Sequence, residues 1–218
     1  MKIAPLTPDD TPDVQAIKSW RKAVRAELVA RRTAVGGDEH ARWSAAIDRH
    51  LSAFLRDVAG KVIAFCWPFQ AEYDARSLML HLFSLGAQGA LPVVVAPRTP
   101  LVFRHWDSAT EMAPDAYDIP APVGTSEVRP DFVLLAFNGF DERGYRLGYG
   151  EGFFDRTLAS MANSPIPLVT IGVGFEIARL PTIYPLPHDI ALDYIVTEAG
   201  VHRREENGLR LMASSFDA

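Results

Sequence analysis

Between Arg146 and Arg156 the chain reads RLGYGEGFFDR, with glycine alternating inside a frame of charged and aromatic residues. Residues of these types in this order suit the holding of a phosphate. Gly148, Gly150 and Gly152 admit backbone conformations closed to residues with a Cβ, and they let N–H groups approach an anion closely. Arg146 and Arg156 supply fixed positive charge in a fork that matches phosphate oxygens. Asp155 is a hard oxygen ligand of the kind Mg²⁺ uses when it travels with a nucleotide phosphate. A helix beginning near Phe153 would add the favourable end of its dipole. The same glycine pattern also serves as a tight connection. It has neither the G-K-[ST] ending of a P-loop nor the glycine spacing of a dinucleotide fold.

Three further segments carry candidate chemistry. Arg21 and Arg25 are four residues apart, so they share one helix face and could clamp a phosphate together; with Lys22 they also read as a solvated basic face. Phe65 to Glu72 follows an apolar run with an aromatic, proline-containing turn. There Trp67 and Phe69 could stack on a flat ligand or join the core, and Glu72 could accept paired hydrogen bonds from an amino-pyrimidine edge. Cys66 reads as a small buried apolar group, since nothing close in sequence would lower its pKa. Asp189 could join Asp155 at a metal, or serve as a turn or cap residue.

These residues need a scaffold that brings them together. Apolar spacing predicts helices over Trp20–Thr33, Glu39–Leu55 and Arg76–Leu85, and strands at Val62–Phe65, Leu91–Val95, Phe132–Leu135, Leu168–Val173 and Tyr194–Val196. Asn138 to Tyr145 reads as a polar turn. Alternation of this kind predicts an α/β fold, a single domain whose mainly parallel sheet has helices on both faces. The glycine loop would then lie at the carboxyl end of a strand, where such folds bind ligands. Residues 1–19 read as an N-terminal extension and 20–218 as the domain. A length of 218 residues gives little reason for a second domain.

A net charge of -5 and the lack of a long basic patch argue against nucleic acid as the main partner. One cysteine excludes an internal disulfide framework. No apolar run reaches the about 18 residues that span a bilayer, and no signal-peptide pattern opens the chain. The expectation is a soluble cytoplasmic protein without a membrane partner, monomeric or homodimeric.

Taken together, the segments resemble the 5-formyltetrahydrofolate cyclo-ligase family, also called methenyltetrahydrofolate synthetase. The matches run in the family's order: the basic first helix, WPFQAE at Trp67–Glu72, F-x-x-W at Phe103–Trp106, YDIPAP at Tyr117–Pro122, GFDERGYRLGYGEGFFDR at Gly139–Arg156, and His188-Asp189 followed by LDYIVTE. The resemblance implies ATP-dependent conversion of 5-formyltetrahydrofolate to 5,10-methenyltetrahydrofolate, with Mg²⁺, ADP and phosphate. It places ATP contacts on Arg21, Lys22, Arg25, Arg146, Leu147, Gly148, Tyr149, Gly150, Glu151, Gly152, Phe153, Phe154 and Arg156. Folate contacts fall on Trp67, Glu72, Trp106, Tyr149 and Phe153, the Mg²⁺ ligands on Asp155 and Asp189, and the catalytic roles on Arg146 and Asp155. The chain departs from the family's pattern at Arg21, where lysine is usual, at Cys66, Phe153 and Phe154, where tyrosine is common, and at Glu151. Those departures also motivate a second reading, a diverged paralogue that binds nucleotide or folate without catalysis.

Overall fold

The computed structural model describes residues 13–162 and 164–212. Of the expected N-terminal extension, residues 1–12 lie outside the described residues. The first helix, α1 (Val14–Thr33), begins earlier than the expected Trp20 because Asp13 caps it, its carboxylate accepting from the backbone N–H groups of Gln15 and Ala16. Ile17, Val24 and Leu28 form its buried stripe. Helix α2 (Gly37–Phe54) buries Ile47 and Leu51, and α3 (Arg76–Ser84) buries Leu78, Met79 and Leu82.

Strands β1 (Val62–Phe65), β2 (Gln88–Val93) and β3 (Val102–Trp106) come first, with the short hairpin β4 (Met112–Pro114) and β5 (Pro120–Pro122) next. They are followed by β6 (Phe132–Ala136), β7 (Gly139–Asp141), β8 (Arg146–Leu147), helix α4 (Phe153–Met161) and β9 (Val169–Val173). The chain closes with β10 (Arg179–Leu180), β11 (Tyr194–Thr197), β12 (Gly200–Glu205) and β13 (Gly208–Leu211).

Eight strands form one sheet in the order β13-β12-β11-β9-β6-β1-β2-β3. Its five central strands run parallel, and antiparallel strands extend both edges. The sheet is therefore mixed, although its middle is the expected parallel one. Alternation along each central strand divides the core between the two faces. Ile63, Phe65, Leu134, Ile171 and Val196 pack with α2 and α3, whereas Ala64, Val133, Leu135 and Ile195 pack with Leu158 of α4.

Asn138 to Tyr145 is not the expected polar turn. It is largely a hairpin, in which β7 pairs antiparallel with β8 and parallel with β10 to make a second, three-stranded sheet. The fully buried Asp141 accounts for this: its carboxylate accepts from the backbone N–H groups of Arg143, Tyr145 and Ile183, fixing both the turn and its attachment to the later chain. Leu147, Leu180 and Ile183 pack under Val24 and Leu28 of α1. Among the described residues no helix is long and apolar enough to cross a membrane.

From β1 the chain moves outward to β2, and it later returns as β6 on the other side of β1. That reversal makes the carboxyl ends of β1 and β6 a topological switch point, where the loops diverge and leave a crevice. Cys66–Glu72 leaves one lip and Phe137–Gly152 the other. On the second lip Gly150 (φ 107°) and Gly152 (φ 66°) adopt left-handed backbone, and Gly152 caps α4 in that conformation. Gly148 has no such constraint and open space where a Cβ would stand. Gly148→Ala is expected to leave the denaturation midpoint almost unchanged, whereas Gly152→Ala costs about 1–2 kcal/mol and Gly150→Ala at least as much. Equal effects at the three positions, measured by urea unfolding, would contradict this backbone assignment.

Candidate functional site

One face of α1 supplies the cations that organise the crevice. Arg21 donates to the carbonyls of Ile183 (2.9 Å) and Tyr184 (2.9 Å) and pairs two-pronged with Asp189, at 2.5 and 3.2 Å. Arg25, one turn on, donates through Nε to the carbonyl of Gly148 at 2.5 Å. Burial and the neighbouring Arg21 charge lower the pKa of Arg25, so the pair of guanidiniums is an arrangement that a bound anion relieves. Lys22, beside them in sequence, is exposed to solvent.

Arg32, two turns beyond Arg25, is buried, and nothing in its local sequence marks it out. It donates to the carbonyls of Gln70 (2.9 Å) and Phe137 (3.1 Å) and to the Tyr149 hydroxyl (3.3 Å), and it lies 3.8 Å from Glu72. It thus joins both lips of the crevice. Gln70 and Ala71 both take positive φ in the turn before Glu72. That costly pair of conformations is held by Arg32 at the Gln70 carbonyl and His40 at the Ala71 carbonyl. Glu72 is itself buried; it accepts from the Phe69 N–H at 3.1 Å and the Tyr149 hydroxyl at 2.8 Å. Burial raises its pKa, with Tyr149, Arg32 and the Phe69 N–H opposing the shift.

On the other lip Arg146 leaves β8 with its side chain buried and pairs with Asp155 at 3.2 Å. Its guanidinium lies over the Phe154 ring, 5.5 Å from the centroid. Asp155 also accepts from the N–H of Ile190, the residue after Asp189, so the two expected metal ligands belong to one corner of the site. Each is already paired with an arginine. Two carboxylates suit an Mg²⁺ that keeps waters and arrives with phosphates, and they do not suit an all-protein cage. Consistently, the described residues contain no group of three or more His, Cys, Asp or Glu placed to hold a metal. Arg156 donates to the carbonyl of the exposed Glu151 at 2.6 Å and lies over Phe153, 5.3 Å from the ring centre.

Some expected contacts have a different first role. Leu147 turns its side chain into the cluster beneath α1, leaving only its backbone toward the loop. Trp106 is buried in the core against Phe65 and Phe83, and it meets Trp67 edge-on at 6.4 Å. Both tryptophans line a groove of about 340 Å³ with Arg76, which lies 4.7 Å over the Trp67 ring. Tyr117, at the tip of the β4–β5 hairpin, packs edge-on against Phe153 at 5.5 Å and brings an aromatic wall that no spacing rule indicated. Asn138 was also passed over. Its carboxamide is buried without a hydrogen-bond partner among the described residues.

A family model described as the 5-formyltetrahydrofolate cyclo-ligase family matches residues 17–198. The 5-formyltetrahydrofolate cyclo-ligase of Mus musculus is 25% identical over 199 residues, covering 84% of this chain and 95% of its own length. The protein of the same name from Haemophilus influenzae is 26% identical over 172 residues, covering 74% and 90%. The solved structure of a 5,10-methenyltetrahydrofolate synthetase from Aquifex aeolicus matches with a TM-score of 0.70 at 24% identity, covering 91% of this chain and 99% of that one. At that identity the structural match speaks for the fold.

Cys66 is no nucleophile in this setting. Burial, aided by the Glu72 charge, pushes its thiol up to about 12, and the Ala136 backbone and Arg146 only partly oppose this. Alkylation by iodoacetamide at pH 8, followed by mass spectrometry, is expected to be at least about a hundredfold slower for the folded chain than for the denatured one. Equal rates would contradict this assignment.

Proposed function

Because the chain belongs to the 5-formyltetrahydrofolate cyclo-ligase family, we propose that it converts 5-formyltetrahydrofolate to 5,10-methenyltetrahydrofolate at the expense of ATP, releasing ADP and phosphate. The observation that most supports this reading is the 2.8 Å bond between Tyr149 and Glu72. It brings a glycine loop suited to phosphates and a buried carboxylate suited to an amino-pyrimidine edge into direct contact. Two substrates bound there lie side by side, as a transfer between them requires.

The formyl oxygen attacks the γ-phosphorus and ADP leaves, giving an iminium phosphate. The 10-position nitrogen then attacks the activated carbon and closes the five-membered ring, its proton passes to the departing phosphate, and the carbon–oxygen bond breaks. Neither step needs a protein nucleophile. The chain's task is to orient and to neutralise charge. Backbone N–H groups at the start of α4, with Arg146, Arg156 and Arg25, would receive the phosphates, and Glu72 would accept from the pterin. Tyr117 and Phe153 would wall the reacting ring. Asp155 and Asp189 would hold an Mg²⁺ carried in with the nucleotide, supplying further charge neutralisation. The arginines that now pair with these carboxylates would then have phosphate oxygens as alternative partners.

The test is absorbance at the methenyltetrahydrofolate band on mixing the chain with 5-formyltetrahydrofolate, with and without Mg-ATP. A rise that requires ATP is expected; a flat trace from folded protein would overturn the proposal and favour the non-catalytic paralogue. In the same assay Asp155→Asn is expected to lower turnover by about 10²–10³-fold with its circular dichroism unchanged. Full retained turnover would contradict the role given to Asp155.

A further inference from the structure

The contact that joins the two half-sites also obstructs them. Oε1 of Glu72, the buried acceptor on the first lip, is taken by the Tyr149 hydroxyl at 2.8 Å. Arg32 supports that hydroxyl at 3.3 Å, and the Tyr149 ring rests on Phe69 with centroids 5.7 Å apart. The glycine loop is tied down at the same time. The Gly148 carbonyl holds Arg25 at 2.5 Å and the Glu151 carbonyl holds Arg156 at 2.6 Å. In this conformation two guanidiniums that flank the loop satisfy its own carbonyls rather than a phosphate. Tyr149 is 44% exposed while Glu72 is 6% exposed, so the tie ends at the crevice surface, where an incoming ligand can displace it.

We infer that Tyr149 is a positioning residue that couples the folate and nucleotide sites, its hydroxyl standing in for the folate's N–H donors on Glu72 until folate displaces it. The inference rests on the cyclo-ligase reading of the site. Folate donating to Oε1 of Glu72 removes the anchor of the loop at Tyr149. The segment Gly148–Gly152, with glycine at every second position, can then move off Arg25 and Arg156, which become available to phosphate oxygens. Folate therefore raises nucleotide affinity, and by linkage nucleotide raises folate affinity by the same factor. Without folate the cations stay occupied and the nucleotide is held weakly, which limits futile hydrolysis.

The test is calorimetric titration of a non-hydrolysable ATP analogue with Mg²⁺ into wild type and Tyr149→Phe, each with and without saturating 5-formyltetrahydrofolate. For wild type, folate is expected to tighten the analogue about tenfold, the value of one well-made hydrogen bond. For Tyr149→Phe, which keeps the ring on Phe69, the analogue should bind tightly without folate, and folate should add less than about twofold. Equal coupling in the two proteins, or no coupling in a wild type that binds folate, overturns the inference and leaves the functional reading standing. A wild type that binds no folate overturns the functional reading and this inference with it.

Discussion

Three buried or half-buried arginines on one face of α1 hold this site together. Arg21, Arg25 and Arg32 recur at spacings of four and seven, close to whole helical turns, so they project along a single line. A guanidinium removed from water must have its donors satisfied, and the acceptors here come from separate loops. Arg21 takes the turn before Asp189, Arg25 the glycine loop, and Arg32 the carbonyls and side chains at the ends of β1 and β6. Each loop is fixed because a buried cation needs it. The apolar stripe of the same helix, Val24 and Leu28, fixes the distance by packing on the small sheet that carries Arg146.

The chemistry follows from what this frame leaves unbalanced. Burial and the charge of Arg21 lower the Arg25 pKa, Glu72 is buried with a raised pKa, and among the described residues the Asn138 carboxamide has no hydrogen-bond partner. Under the proposed function an anion would meet the arginines and a row of N–H donors would meet the carboxylate. The Cys66 thiol, pushed up to about 12, keeps its proton and is no nucleophile for the site. The proposed reaction makes and breaks its bonds between two substrates and asks for no protein nucleophile.

Much of this was legible in the chain and some of it was not, for reasons of range. The parallel strands and the start of α4 at Phe153 announce themselves through local apolar runs and glycine spacing, and the structure places both as expected. Arg146, Asp155 and Glu72 stand out by residue type and position, and Tyr149 by the family resemblance alone. The small sheet escaped because β8 is two residues long and owes its place to Asp141 binding Ile183, a contact 42 residues away. Arg32 escaped because nothing local separates a buried arginine from its solvated neighbours; only the Gln70, Phe137 and Tyr149 partners make it different. Tyr117 reaches Phe153 only through the β4–β5 hairpin, whose three-residue strands carry no periodicity. The family resemblance alone puts Trp106 at the folate, and the structure buries it in the core, the commoner fate of such rings.

The central claim is that the two substrates react with each other and that the chain only positions them. The most direct test is to supply 5-formyltetrahydrofolate labelled with ¹⁸O in the formyl group, let the chain turn it over with Mg-ATP, and determine by mass spectrometry where the label goes. Attack of the formyl oxygen on the γ-phosphorus requires the label to appear in inorganic phosphate, with one labelled phosphate for each methenyl product. Label released into water, with unlabelled phosphate, would mean that ATP is cleaved apart from the formyl group and would contradict the account.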